Sequence, residues 1–149
     1  MDKLNIETKR LIITELEAGM AQSVYENSQD DDMRRFVPDE VFSSVEEARG
    51  ALEHLISCYE KGGPLVYPVQ TKRGENIGYV QAVPLGKEWE IGYHIAKAHT
   101  GNGYATEAVK AFLPVIMSGL GIDKIYGICL AENGASRTVL KKCGFALWF

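Results

Sequence analysis

The chain of 149 residues is 46% hydrophobic and 24% charged, enough for one domain with a real core and too little for two comfortable ones, so residues 1–149 are expected to form a single domain. Its formal net charge of −4 argues against binding phosphate backbones as the main task, and no nucleic-acid partner is expected. No apolar run is long enough to cross a bilayer and Met1 to Arg10 carries no apolar signal core, which leads to the expectation of a cytoplasmic protein without a membrane partner.

Thr8 to Leu16 has the β-branched content of a first strand,. Met20, Ala21, Val24 and Tyr25 then fit a short helix that stops at the acidic run Asp30 to Asp32, which reads as a solvated loop,. Met33 to Phe42 mixes Arg34, Arg35, Phe36 and Pro38 without periodicity, as expected of an ordered loop bordering a substrate pocket. Ser43 to Glu47 is a helix-start signature, because a serine caps the first amides while a glutamate three residues later reaches back. Val45, Ala48, Leu52, Leu55, Ile56 and Tyr59 continue an apolar face until Gly62-Gly63-Pro64 ends the helix, and His54 on it is read as structural,.

Leu65–Gln70, Asn76–Leu85 and Lys87–Ala96 read as three strands of an antiparallel meander,. Ala105, Ala108, Val109, Phe112 and Ile116 then recur at helical spacing, with Pro114 expected to kink or loosen the helix around Thr106 to Lys110 unless neighbouring packing compensates,. Asp123–Leu130 reads as another strand. Asn133 is placed to cap a short helix that Gly144 stops, with Ala135, Val139 and Cys143 facing inward,. Cys58, Cys129 and Cys143 are odd in number and lack zinc-like pairing, so they read as free thiols. His94 and His99 have no third ligand nearby, and no metal is expected.

The stretch from Trp89 to Thr106 organises the rest: a strand, then Gly101-Asn102-Gly103, then a helix start. Unpaired amides and the positive end of the helix dipole meet there, and flanking glycines admit a pyrophosphate close to the backbone. A turn of this composition also serves simple chain reversal. No Lys-Ser or Lys-Thr follows the glycines, which excludes a P-loop, and the third glycine step of a dinucleotide fingerprint is missing.

Glu90-Ile-Gly-Tyr-His94, Gly101-Asn-Gly-Tyr-Ala-Thr-Glu-Ala108 and Asn133-Gly-Ala-Ser-Arg137 with Gly144-Phe145, in this order, resemble the GNAT superfamily of acetyl-CoA-dependent N-acetyltransferases, especially the branch that acetylates ribosomal-protein N-termini. The resemblance implies an α+β fold: a mostly antiparallel central sheet flanked by helices, here with a shortened terminal strand region. It implies acetyl-CoA as cosubstrate without a metal, and direct transfer to a primary amine of a peptide N-terminus or a small molecule. A noncatalytic acyl-CoA-binding or interaction module with the same fold is the alternative.

Carried over residue by residue, the resemblance places pyrophosphate on Gly101, Asn102, Gly103, Tyr104 and Ala105, and the pantetheine arm on main-chain groups of His94, Ile95 and Ala96. Asn133 would hydrogen-bond that arm or simply cap its helix, and Arg137 would meet the cofactor's phosphates or only solvent. Glu90 is similar in position to the family's base, its other reading being a surface strand carboxylate. Thr100 stands where the family pattern has Arg or Gln, and Leu140 where many members have an acidic tyrosine. Ser136 is therefore assigned to orient or protonate the cofactor sulfur, or else merely satisfies backbone. The end Phe145 to Phe149 leaves room for one short apolar strand, expected to be buried in a homodimer or against its own sheet.

Overall fold

The computed structural model describes residues 3–36, 40–129 and 133–146, with the side chains of Asp32 and Phe36 excepted. Among the described residues, six strands form one sheet in sequence order: β1 (Ile6–Glu7), β2 (Leu11–Ile13), β3 (Leu65–Thr71), β4 (Asn76–Leu85), β5 (Glu88–Ile95) and β6 (Tyr126–Gly127). Pairing is antiparallel from β1 to β5 and parallel between β5 and β6. The helices are α1 (Ala21–Asn27), α2 (Asp31–Phe36), α3 (Val45–Lys61), α4 (Tyr104–Leu120) and α5 (Gly134–Lys142). This is the mixed α/β architecture expected.

Helices cover both faces of the sheet, which is why Leu65 to Val69 are all buried rather than alternating,. On one face α4 packs Ala108, Val109, Phe112 and Ile116 against Leu11, Ile13, Tyr67, Val80 and Ile91. On the other, Ala21 of α1 and Leu52 of α3 meet Leu16 and Val66. Tyr59 of α3 joins the layers: its hydroxyl donates to the Val66 carbonyl and accepts from Leu16 N–H at 2.9 Å. The α3 start is capped as expected, Ser44 Oγ accepting from Glu47 N–H at 3.1 Å while the Glu47 carboxylate takes the Ser43 hydroxyl at 2.7 Å.

The first strand is not continuous. Thr8 folds back on Leu11, donating N–H to its carbonyl at 2.9 Å and accepting its N–H on Oγ1 at 3.0 Å, so Thr8 to Arg10 forms the turn of a β1–β2 hairpin; a threonine hydroxyl competing for backbone is the reason. The acidic run is not a loop either. Asp30 accepts Met33 N–H at 2.8 Å and opens α2, where carboxylates suit the helix dipole,. Met33–Phe42 is accordingly helical as far as Phe36.

Helix α4 runs unbroken through Pro114. The carbonyl deprived of its partner belongs to exposed Lys110, while burial of Val109, Phe112 and Ile116 holds the neighbouring turns,. The strand expected over Asp123–Leu130 pairs only at Tyr126–Gly127, with Ile128 exposed and Leu130 outside the described residues. On α5, Ala135 is exposed, and the inward side runs through Ser136, Val139, Leu140 and Cys143. The expected terminal strand and its homodimer lie largely outside the described residues.

Candidate active site

Three groups of residues converge on β5. The first is the turn into α4. Ile95 leads to a single 3-10 turn, Lys97–His99, and then to Gly101 and Gly103 with φ of 81° and 78°, a left-handed conformation that glycine adopts without strain. Gly103 sits at the helix N-cap and offers no side-chain acceptor, so the first amides of α4, at Tyr104 and Ala105, lack intrahelical partners. A side chain built on Gly101 would meet nothing within 4 Å, leaving the approach open. The Thr100 hydroxyl is turned away and donates to the Lys97 carbonyl at 2.8 Å.

The second group lies where β5 and β6 part. Their pairing consists of Glu90 with Tyr126 and Ile91 with Gly127, while β5 continues to Ile95. Ala96 N–H donates to the Ile77 carbonyl at 2.8 Å, and bonded positions alternate along an antiparallel ladder. His94, opposite Tyr79, therefore also turns its main chain toward β4, whereas Tyr93 and Ile95 turn theirs toward the gap beyond β6. The Ala96 carbonyl is already taken by His99 N–H at 2.8 Å. Of His94, Ile95 and Ala96, Ile95 thus presents main-chain groups to the gap, and Tyr93 joins it.

Helix α5 borders this gap. Asn133 Oδ1 caps it by accepting Ser136 N–H at 3.1 Å. The Tyr93 hydroxyl donates to the Ser136 carbonyl at 2.8 Å and lies 2.7 Å from Ser136 Oγ. Tyr93 has one proton: while it serves the carbonyl, Ser136 Oγ–H donates to the phenol, and Ser136 is free to donate elsewhere only when Tyr93 donates to Oγ. Burial pushes the Tyr93 phenol up to about 12, the Ser136 hydrogen bond opposing the rise, so Tyr93 stays protonated. Arg137 is exposed.

The third group faces α1 and α3 across the sheet. A cavity of about 320 Å³ opens there, its apolar wall including Leu52, Leu55, Val66 and Pro68, with Met33, Glu40 and Phe42 on a further side; the segment after the acidic run does border a pocket. Glu40 accepts hydrogen bonds from the Tyr79 hydroxyl and from Gln81 Nε2, the latter at 3.2 Å. Burial, then the Glu40 charge, raises the Tyr79 phenol well above its usual value. The same two causes in the same order raise the Glu90 carboxyl, so Glu90 lies within the field of Glu40.

His94 also lines the cavity, its Nε2 2.9 Å from Asp30 Oδ2. That approach is off the line of a hydrogen bond and leaves the buried ring nitrogen without an aligned partner among the described residues; it is a close polar contact rather than a directed bond. Strand alternation puts Glu90, Gly92 and His94 on this face and Tyr93 on the α4 and α5 face.

The sequence motifs thus come together as two clusters on opposite faces of one strand. Glu40, Tyr79, Gln81 and Tyr93 were not singled out from sequence. Tyr79 and Gln81 alternate with buried Val80 and Ala82, a period-2 signal that sets their polar side chains on the opposite face. Glu40 follows residues without periodicity and carries no such signal.

A family model described as an acetyltransferase (GNAT) domain matches residues 10–146. The uncharacterized N-acetyltransferase YnaD of Bacillus subtilis (strain 168) is 30% identical over 145 residues, covering 95% of this chain and 82% of that protein. Among solved structures, the ribosomal L7/L12 alpha-N-protein acetyltransferase RimL in complex with coenzyme A superimposes with a TM-score of 0.85 at 19% identity, covering 98% of this chain and 86% of that one. The microcin C7 self-immunity acetyltransferase MccE, solved with acetyl-CoA and AMP, gives 0.82 at 16% identity over 93% and 79% of the two chains. These two share the fold. Because the family model spans β2 to β6, the glycine turn and α5, the chain belongs to the GNAT family and is an acetyl-CoA-dependent acetyltransferase.

Proposed function

We propose that the protein transfers acetyl directly to the primary amine of a peptide N-terminus or a small molecule, with the amine entering the cavity and the cofactor's pantetheine arm lying in the gap beside β5. The observation that carries this reading is the placement of carboxylates and hydroxyls on opposite faces of β5, Glu40 and Glu90 on the cavity face, Tyr93 and Ser136 on the other.

Pyrophosphate fits Gly101 to Ala105, where open glycines meet unpaired amides,; Asn102 lies between them. Main-chain groups of Ile95 and Tyr93 hold the arm, with Asn133 and Arg137 beside it on α5. Bound acetyl-CoA supplies an activated thioester carbonyl and a thiolate leaving group. The chain's own residues handle the protons. Glu40 attracts the ammonium form of the acceptor, and Glu90 takes its proton, directly or through water; a raised carboxyl is the better base,. Ser136 donates toward the sulfur when Tyr93 turns its own proton to Ser136 Oγ.

An apolar wall beside acidic groups suits an amine that carries an apolar substituent,. That the RimL relative is an alpha-N-protein acetyltransferase supports a peptide N-terminus. The test is incubation of the protein and acetyl-CoA with a panel of peptide N-termini and small amines, following CoA release and product mass. One added acetyl group on an amine supports the reading. CoA binding with no acetylated product across the panel overturns it.

A further inference from the structure

We propose that Arg10, reaching over from the β1–β2 turn, is a positioning residue that sets the Gly101–Gly103 turn for pyrophosphate and supplies positive charge there. The inference rests on reading that turn as the cofactor cradle. It begins with an electrostatic conflict. Glu107 stands in the first turn of α4, where a carboxylate suits the helix dipole and at the same time repels an anion bound to the same amides.

The β1–β2 hairpin resolves the conflict. Thr8 Oγ1 and Arg10 N–H donate to Glu107 Oε2 at 2.6 and 3.0 Å, and Arg10 Nε donates to Oε1 at 2.6 Å. Burial pushes the Glu107 carboxyl up, and these donors outweigh it, holding the group below the usual carboxylate range and ionised. The same guanidinium continues outward. Its Nη1 donates to the Asn102 carbonyl at 2.9 Å, and its Cζ lies over the Tyr104 ring, 4.4 Å from the centroid. Nη2 lies 3.6 Å from where a side chain on Gly103 would begin.

One planar fork therefore ties the first turn of α4, the middle of the glycine turn and the Tyr104 ring together. Lysine gathers its donors on one nitrogen and has no planar fork with which to reach both partners. Arg10 is 40% exposed against 19% for Glu107, so the pair presents its positive end outward, at the turn. Thr100, whose hydroxyl is committed to Lys97, provides no charge there.

The test is calorimetric binding of CoA, and of pantetheine as the ligand without pyrophosphate, to the full chain at low and raised salt. Arg10→Gln is expected to weaken CoA by about ten-fold or more, the scale of a lost charge-assisted contact, and to flatten the salt dependence while leaving pantetheine unchanged. Adding Glu107→Gln recovers part of the loss by removing the unpaired carboxylate, and adding Thr100→Arg recovers part by restoring charge. Arg10→Lys falls between wild type and Arg10→Gln. Equal weakening of CoA and pantetheine with an unchanged salt slope, or unchanged CoA binding by Arg10→Gln, overturns the proposal. Failure of the wild-type chain to bind CoA at all overturns the cradle reading itself, and is told apart because no variant is then needed to see it.

Discussion

Two glycines on neighbouring strands, Gly78 of β4 opposite Ile95 and Gly92 of β5 opposite Gln81, should respond differently to the same added methyl group. A Cβ on Gly92 would lie 2.6 Å from Gln81 Nε2 and 3.0 Å from its Cγ, so the flexible amide side chain can swing away. It then gives up its hydrogen bond to Glu40, about 1 kcal/mol net, and takes a poorer rotamer at about 0.5–1.5 kcal/mol. Alanine's lower entropy loss in a strand returns about 0.5–1 kcal/mol. Gly92→Ala should therefore be destabilised by only about 1 kcal/mol while its acceptor KM rises, because Glu40 has lost a donor.

On Gly78 the Cβ would run into the His94 carbonyl oxygen, with the His94 carbonyl carbon and Ile95 Cα at 3.0 Å. Nothing there is a side chain. The strands must part where Ile77 meets Ala96 and Tyr79 meets His94, which loses ladder bonds at about 1 kcal/mol each and adds overpacking of about 1–3 kcal/mol. Gly78→Ala should cost about 3–5 kcal/mol. Equilibrium urea unfolding measures both. Gly78→Ala within about 1 kcal/mol of wild type, or the two variants equal, would refute the reasoning.

Glu90→Gln should lower kcat/KM by about 100-fold and abolish the acid limb of the pH profile. In the wild type that limb should break above the ordinary carboxyl value of 4.5, since burial and Glu40 raise Glu90. Glu40→Gln should move the break to lower pH by removing one cause of the rise. Tyr93→Phe should leave CoA affinity unchanged and lower kcat by about ten-fold, with Ser136 no longer held in line; an unchanged kcat would remove Tyr93 from the chemistry. Glu107→Gln should cost about 1–2 kcal/mol at neutral pH. Because folding depresses the Glu107 carboxyl, its stabilisation is present above the unfolded value near 4.5 and is lost as pH falls through the lower folded value, so the two unfolding curves should converge in acid.

The sequence carried the meander, the α3 cap and the glycine turn clearly, since each depends on residues within a few positions of one another. Ser44 and Glu47, or Gly101 and Gly103, act locally, and local rules find them. The features missed are long-range. Arg10 and Thr8 read as strand residues until Glu107, almost a hundred positions away, is seen to claim them. Asp30 read as solvated because its amide partner at Met33 belonged to a helix too short to show periodicity. Ser136 was singled out, but its phenolic partner Tyr93 lies 43 positions earlier on a strand, and no local rule joins the two.

The Tyr59 hydroxyl, clamped between Val66 and Leu16, has a consequence for how rate data from this protein are to be interpreted. Burial is the main reason its phenol lies well above the usual range, so it keeps its proton through every pH at which carboxylates titrate. The rear wall formed by α3 is therefore a fixed jaw: acid that titrates Glu90 leaves the Tyr59 clamp untouched. A rate lost on acidification is therefore not a failure of this clamp, and it traces to carboxylates such as Glu90 beside the cavity or Glu107 at the start of α4.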